Sequence, residues 1–106
     1  MECHVNRWGT IVIVRIDVEA AHSGRFDYRV SLESEDLYAD QELDSVVECL
    51  VAAVEGMAPE VVGAEVAYGG IVSGTYPLQV IGMNVEQIAE HALNTTAAIE
   101  EASGRA

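Results

Sequence analysis

Two alternating segments that flank a short turn constrain the fold of this chain more than any other feature. In residues 26–33 apolar and polar side chains alternate strictly, which is the period of a strand with one buried face. Residues 8–19 alternate in the same way, with apolar residues at most even positions. Between them His22-Ser23-Gly24 fits a three-residue hairpin loop, because glycine readily adopts its left-handed position. We therefore predict an antiparallel hairpin.

The register of this hairpin follows from counting outward from its loop. Antiparallel partners must bring the two apolar faces onto the same side of the sheet. The polar side then gains Asp17 opposite Arg29. The predicted partners are Ala21 with Arg25, Val18 with Tyr28, Ile16 with Val30, and Val14 with Leu32.

Three more elements follow along the chain. Apolar residues from Leu43 to Val54 recur at helical spacing, and Asp40 is the predicted N-cap. Residues 62–68 and 76–83 predict a second hairpin around a glycine-rich bend, with Pro77 placing the second strand at an edge. Asn84 with Gln87 predicts a capping box that begins a final helix.

These elements predict an α+β fold with the order ββαββα. We expect two layers, a four-stranded antiparallel sheet with both helices packed on one face. A chain of 106 residues has room for one hydrophobic core, so residues 1–106 are predicted to form a single domain. The similar order of residues 8–57 and 60–102 is consistent with two tandem ββα halves.

The sheet face away from the helices is predicted to carry apolar residues at odd positions. Apolar surface of this extent is usually covered by a partner. We therefore predict a homo-oligomer whose interface contains Ile11, Ile13, Val61, Ile81 and Met83.

The charge of the chain is strongly one-sided. The chain contains eighteen acidic residues, five arginines and no lysine, which gives a formal net charge of −13. Residues 30–104 contain no arginine or lysine, so direct binding to nucleic-acid phosphates is not expected. A strongly negative surface attracts basic partners instead. The predicted partner-binding face contains Glu33, Glu35, Asp36, Asp40, Glu42, Asp44 and Glu48.

The sequence gives little support for catalysis, cofactors or membrane insertion. The longest apolar run, residues 49–54, is six residues, against about 20 needed to cross a bilayer, and we expect a cytoplasmic protein. No nucleophile elbow, phosphate loop or paired metal-ligand spacing is present, so no catalytic residue, metal or cofactor is assigned. Cys49 lies among acids that should raise its pKa, and a bridge to Cys3 is not expected.

Three functional hypotheses remain. The first is a non-enzymatic protein-interaction, regulatory or escort module that acts as a homo-oligomer. The second is an acidic nucleic-acid mimic of the kind phages use, which would inhibit a host protein that binds DNA or RNA. The third is a small enzyme or ligand binder whose site forms between subunits.

Overall fold

A computed structural model describes residues 3–6 and 9–104 of the chain, with side chains from Val12 onward. Trp8, at the start of the first predicted strand, lies outside the described residues. Within these ranges the strands are β1 (Cys3–Asn6), β2 (Gly9–Ala20), β3 (Phe26–Leu32), β4 (Glu35–Leu43), β5 (Val61–Tyr68) and β6 (Ile71–Pro77). The helices are α1 (Val46–Glu55), α2 (Leu78–Met83) and α3 (Val85–Ala102).

The strands form one mixed sheet in the order β4-β3-β2-β5-β6, and β1 pairs antiparallel with the beginning of β2. The α+β class is confirmed, but the predicted all-antiparallel sheet of four strands with two helices is wrong. Strand β4 is the cause, because it adds one reversal of chain direction before α1. As a result β5 returns parallel to β2, whereas all other neighbours are antiparallel.

The first hairpin is confirmed in position and register. Val18 pairs with Tyr28, and the backbone N–H of Ala21 donates to the carbonyl of Arg25 at 2.8 Å. Gly24 has a φ of 72°, the left-handed conformation that the loop requires. Turn chemistry and side-chain alternation are both local, so they fix this hairpin without the rest of the fold.

Strand β4 was not predicted because its sequence lacks a buried face. Only Tyr38 and Leu43 are half-buried, and the other residues of the strand are exposed. Charged residues on an exposed edge discourage pairing with another sheet, and they also remove the alternation that indicates a strand. Asp40 consequently lies in β4 and does not cap a helix. The N-cap of α1 is Ser45, whose Oγ accepts from the N–H of Glu48 at 3.1 Å.

The second hairpin is present, but its second strand is Ile71–Pro77 and not the predicted residues 76–83. A two-residue turn joins β5 to β6, and Gly69 and Gly70 both have positive φ, as this turn type needs. Pro77 ends β6, which lies at the sheet edge, and the predicted extended residues after it form α2 instead. The predicted capping box is also wrong, because the Asn84 amide donates to the Val80 carbonyl at 3.1 Å.

Helices α1, α2 and α3 share one hydrophobic cluster with the sheet. The helix-facing positions of β2 are even-numbered, as predicted, and the central ones, Val14, Ile16 and Val18, are almost fully buried. None of the helices in the described ranges has both the length and the apolar content to cross a membrane. The largest fully buried side chains are Ile16, Leu50, Ile81, Val14, Val18, Val30, Val66 and Cys49.

Candidate interaction surface

The seven acids predicted to form a partner-binding face are all exposed, and they lie close together along the chain's edge strand. Glu33 lies in the turn before β4, four of the acids lie within the strand, Asp44 follows the strand, and Glu48 lies in the first turn of α1. We call this surface the acidic edge. Its members are Glu33, Glu35, Asp36, Asp40, Glu42, Asp44 and Glu48.

Acids of the acidic edge project on both sides of β4. Asp36 pairs with Ser31 on the sheet face that the helices leave open. Asp40 pairs with Tyr28, a core residue on the helix-covered face. The charge of Asp40 adds to desolvation, the larger cause, in raising the pKa of the Tyr28 phenol. A partner that approaches the edge would therefore meet carboxylates above and below the strand.

Arginines compensate only part of this charge. Nε of Arg29 lies 3.4 Å from Oδ1 of Asp36, and Arg25 forms an ion pair with Asp44. All four of these side chains are largely exposed, so solvent screens the pairs and each contributes little to stability. The acidic edge therefore keeps a strong negative potential.

Both ends of β4 contain non-glycine residues in the left-handed region. Glu33 and Ser34 form the preceding turn with φ of 52° and 72°, and Glu42 has a φ of 61° at a bulge opposite β3. The N–H of Glu42 donates to Oδ1 of Asp27 at 3.0 Å, which holds the bulge. Bulges bend an edge strand away from regular pairing. The acidic edge is therefore bent at the bulge as well as negatively charged.

The open face of the sheet carries an ion-pair network that sequence reasoning largely missed. Nε of Arg15 donates to both carboxylate oxygens of Asp17, at 3.0 and 3.1 Å, and Nη1 lies 3.5 Å from Glu65. The hairpin register placed Asp17 opposite Arg29, which is confirmed. The contact to Glu65 was missed because it depends on β5 running parallel to β2.

The residues predicted as an oligomer interface do not share one sheet face. Ile81 is fully buried in α2, and Met83, at the end of the same helix, is 78% exposed. Val61 is half-buried and packs against the helix-side core, whereas Ile13 lines the open face. Ile11 lies in β2, but its side chain is outside the described part of the chain. The placement of these residues on one face is therefore wrong, and self-association stays a prediction.

Cys49 is free and lies fully buried in α1. Desolvation is the main cause that raises the pKa of its thiol to about 11, and the carboxylates of Asp27, Glu48 and Asp40 raise it further. The predicted effect of neighbouring acids has the right direction, although burial is the larger cause. A thiol with this pKa stays protonated at neutral pH and is a poor nucleophile.

Within the described ranges no three His, Cys, Asp or Glu side chains come together in an arrangement that could hold a metal ion. Comparisons with protein-family models, curated proteins and solved structures find no match to this chain. The charged surface is therefore the feature of the described residues that points to a function.

Proposed function

We propose that the protein is a non-catalytic interaction module of the cytoplasm, which binds a basic partner protein through its acidic edge. The observation that carries the proposal is the exposure of all seven acids around one edge strand. Charge of one sign speeds encounter with a partner of opposite sign and disfavours other partners. A regulatory or escort role fits such a surface.

The edge position of β4 supports a protein partner. An edge strand presents backbone groups that a partner can use, and its flanking carboxylates would select arginine- and lysine-rich segments. Proteins that bind nucleic acid are one class of basic partner, so the mimic hypothesis is a special case of this proposal. The competing explanation is that the acids only prevent edge-to-edge association of sheets.

Two variants with the same change in net charge separate these explanations. The edge variant combines Glu35→Gln, Asp40→Asn and Glu42→Gln, none of which forms an arginine ion pair in the described residues. The control combines Glu86→Gln, Glu90→Gln and Glu100→Gln on α3, which are equally exposed.

The probe is an octa-arginine peptide, with affinity measured by calorimetry at low and physiological salt. We expect the edge variant to bind about tenfold more weakly than the control. Equal loss in both variants would mean that binding follows net charge alone and would overturn the proposal. If the edge variant binds normally but aggregates, the acids serve only to protect the edge.

Self-association is the second part of the proposal. Copies that each carry a net charge of −13 repel one another wherever acids face acids. Residues 66–85 contain no charged side chain, and within them Val80 and Met83 lie one helical turn apart on α2, 38% and 78% exposed. A contact between two copies is therefore proposed at this part of α2.

Light scattering tests the contact between copies. We expect a dimer for the natural sequence and a monomer for the double variant Val80→Glu and Met83→Glu. The control is Val62→Glu, because Val62 is 49% exposed but lies outside the uncharged segment. A natural protein that is monomeric at high concentration would remove this part of the proposal.

A further inference from the structure

A cavity of about 580 Å³ lies on the open face of the sheet. This volume is in the range of small-molecule sites, about 300–1,000 Å³. Its floor includes a row of residues that pair across five neighbouring strands. From β6 to β4 the row reads Thr75, Glu65, Arg15, Ser31 and Asp36.

Ser31 is the unusual member of this row. It is 7% exposed, and its hydroxyl has no hydrogen-bond partner among the residues that the structure describes. It lines the cavity between Arg15 on β2 and Asp36 on β4. Among the described residues, no side-chain nitrogen or oxygen is both inaccessible and without a hydrogen bond, so the unbonded Ser31 hydroxyl is accessible from the cavity and can bond to what occupies it.

The groups around Ser31 carry both signs of charge. Arg15 uses Nε and Nη1 toward its carboxylates, and Arg29 uses Nε toward Asp36. Nη2 of Arg15 and the terminal nitrogens of Arg29 are therefore donors that no described residue occupies. Guanidinium groups bind carboxylates in a planar, often bidentate geometry. Leaving Glu33 aside, the carboxylates of Asp17, Asp36 and Glu65 line the cavity beside these two arginines, so acids outnumber arginines there.

We propose that this cavity binds a basic amino acid as a free small molecule. The α-carboxylate lies over Ser31 and accepts from its hydroxyl and from the guanidinium groups of Arg15 and Arg29. The cationic groups of the ligand lie toward Asp36 and Glu65. A ligand with two cationic groups and one anionic group matches the excess of acids in the lining, which a simple anion would not.

This site is distinct from the proposed partner surface, although Glu33 and Asp36 belong to both. Binding of a free amino acid requires the row of residues on the open face, whereas the octa-arginine peptide is expected on the acidic edge. The acidic-edge variant defined above leaves the cavity lining unchanged. It should therefore keep amino-acid binding even if it loses the peptide.

The test compares L-arginine with agmatine, which has the same cationic groups but no carboxylate. Affinities are measured by calorimetry on the full chain, together with amide shifts in NMR spectra. We expect L-arginine to bind at least about tenfold more tightly than agmatine, because only L-arginine uses the carboxylate site. L-Citrulline, which lacks the side-chain charge, should bind more weakly than L-arginine.

Ser31→Ala should weaken L-arginine binding about three- to tenfold and leave agmatine binding unchanged. Ser73→Ala removes a hydroxyl of the same sheet outside the cavity lining and serves as the control. If Ser31→Ala lowers stability, Arg29→Gln tests the carboxylate site instead, and it should also weaken L-arginine binding.

Two results would overturn the inference. One is the absence of amide shifts at residues 15, 31 and 36 with millimolar L-arginine. The other is equal affinity for L-arginine and agmatine, which would mean that only the acids contribute.

Discussion

The hydroxyl of Tyr38 donates a hydrogen bond to the backbone carbonyl of Ala53, and this contact ties the edge strand β4 to α1. The ring of Tyr38 also lies directly over Gly56, where an added Cβ would come within 2.9 Å of the ring. The strand has few other buried side chains, so Tyr38 is its main attachment to the core. The shape of the acidic edge depends on this attachment.

Tyr38→Phe removes the hydroxyl and keeps the ring. We expect the free energy of unfolding to fall by about 1 kcal/mol, the net contribution of one hydrogen bond. Tyr68→Phe is the control, because the Tyr68 hydroxyl has no hydrogen bond to any described residue. Urea denaturation followed by circular dichroism compares the two, and equal stabilities would contradict the role given to Tyr38.

Gly63 is required where β5 meets β6. A Cβ at this position would lie 2.9 Å from the backbone carbonyl oxygen of Tyr76, and backbone cannot move aside as a flexible side chain can. Gly63→Ala should lower the free energy of unfolding by about 2 kcal/mol or more. Gly82→Ala on α2 meets nothing within 4 Å and should be neutral or slightly stabilising. The prediction fails if the two variants melt at the same temperature.

The turn before β4 stores backbone strain. Ser34 has a φ of 72°, a conformation that costs roughly 1 kcal/mol or more for a residue with a Cβ. Ser34→Gly should therefore raise the free energy of unfolding by about 0.5–1 kcal/mol. Ser103→Gly is the comparison at an unstrained position, since Ser103 has a φ of −85°. It should not stabilise, because it adds chain flexibility and removes the hydroxyl that donates to the Glu100 carbonyl. A lower free energy of unfolding in Ser34→Gly would contradict the claim that Ser34 is strained.

The raised pKa of Cys49 gives stability a pH dependence in alkaline solution. The folded state favours the protonated thiol, so this contribution is present below the ordinary pKa of 9.0 and is lost as pH rises through about 11. The difference in unfolding free energy between the natural protein and Cys49→Ala should therefore shrink between pH 8 and pH 11. Urea titrations at both pH values measure this difference, which would stay constant if the thiol were not desolvated.

Local patterns in the sequence predict the parts of the fold that local physics decides. The hairpin register of Val18 with Tyr28 follows from one glycine turn and strict alternation. The acids of residues 33–48 were also predicted to form an exposed face, and the structure places all seven on the surface. Their function stays a prediction.

Features that depend on pairing between distant parts of the chain could not be predicted from local sequence patterns. Strand β4 is held by its neighbour β3 and by Tyr38, although its composition is that of a solvated loop. Without β4, the predicted direction of β5 is opposite to the observed one. The contact of Arg15 with Glu65 could therefore not be predicted. Residues 78–83 form a helix of only six residues. A segment this short shows no clear helical periodicity, and its apolar composition resembles that of a strand.

The most direct test of the account is to locate the binding of a basic peptide by NMR. Amide shifts of the ¹⁵N-labelled chain are followed while octa-arginine is added at physiological salt. We predict that the large shifts fall within residues 33–48 and saturate together. Shifts spread evenly over the acids of α3 and the acidic edge would contradict a specific surface and reduce the charge to a general property of the chain.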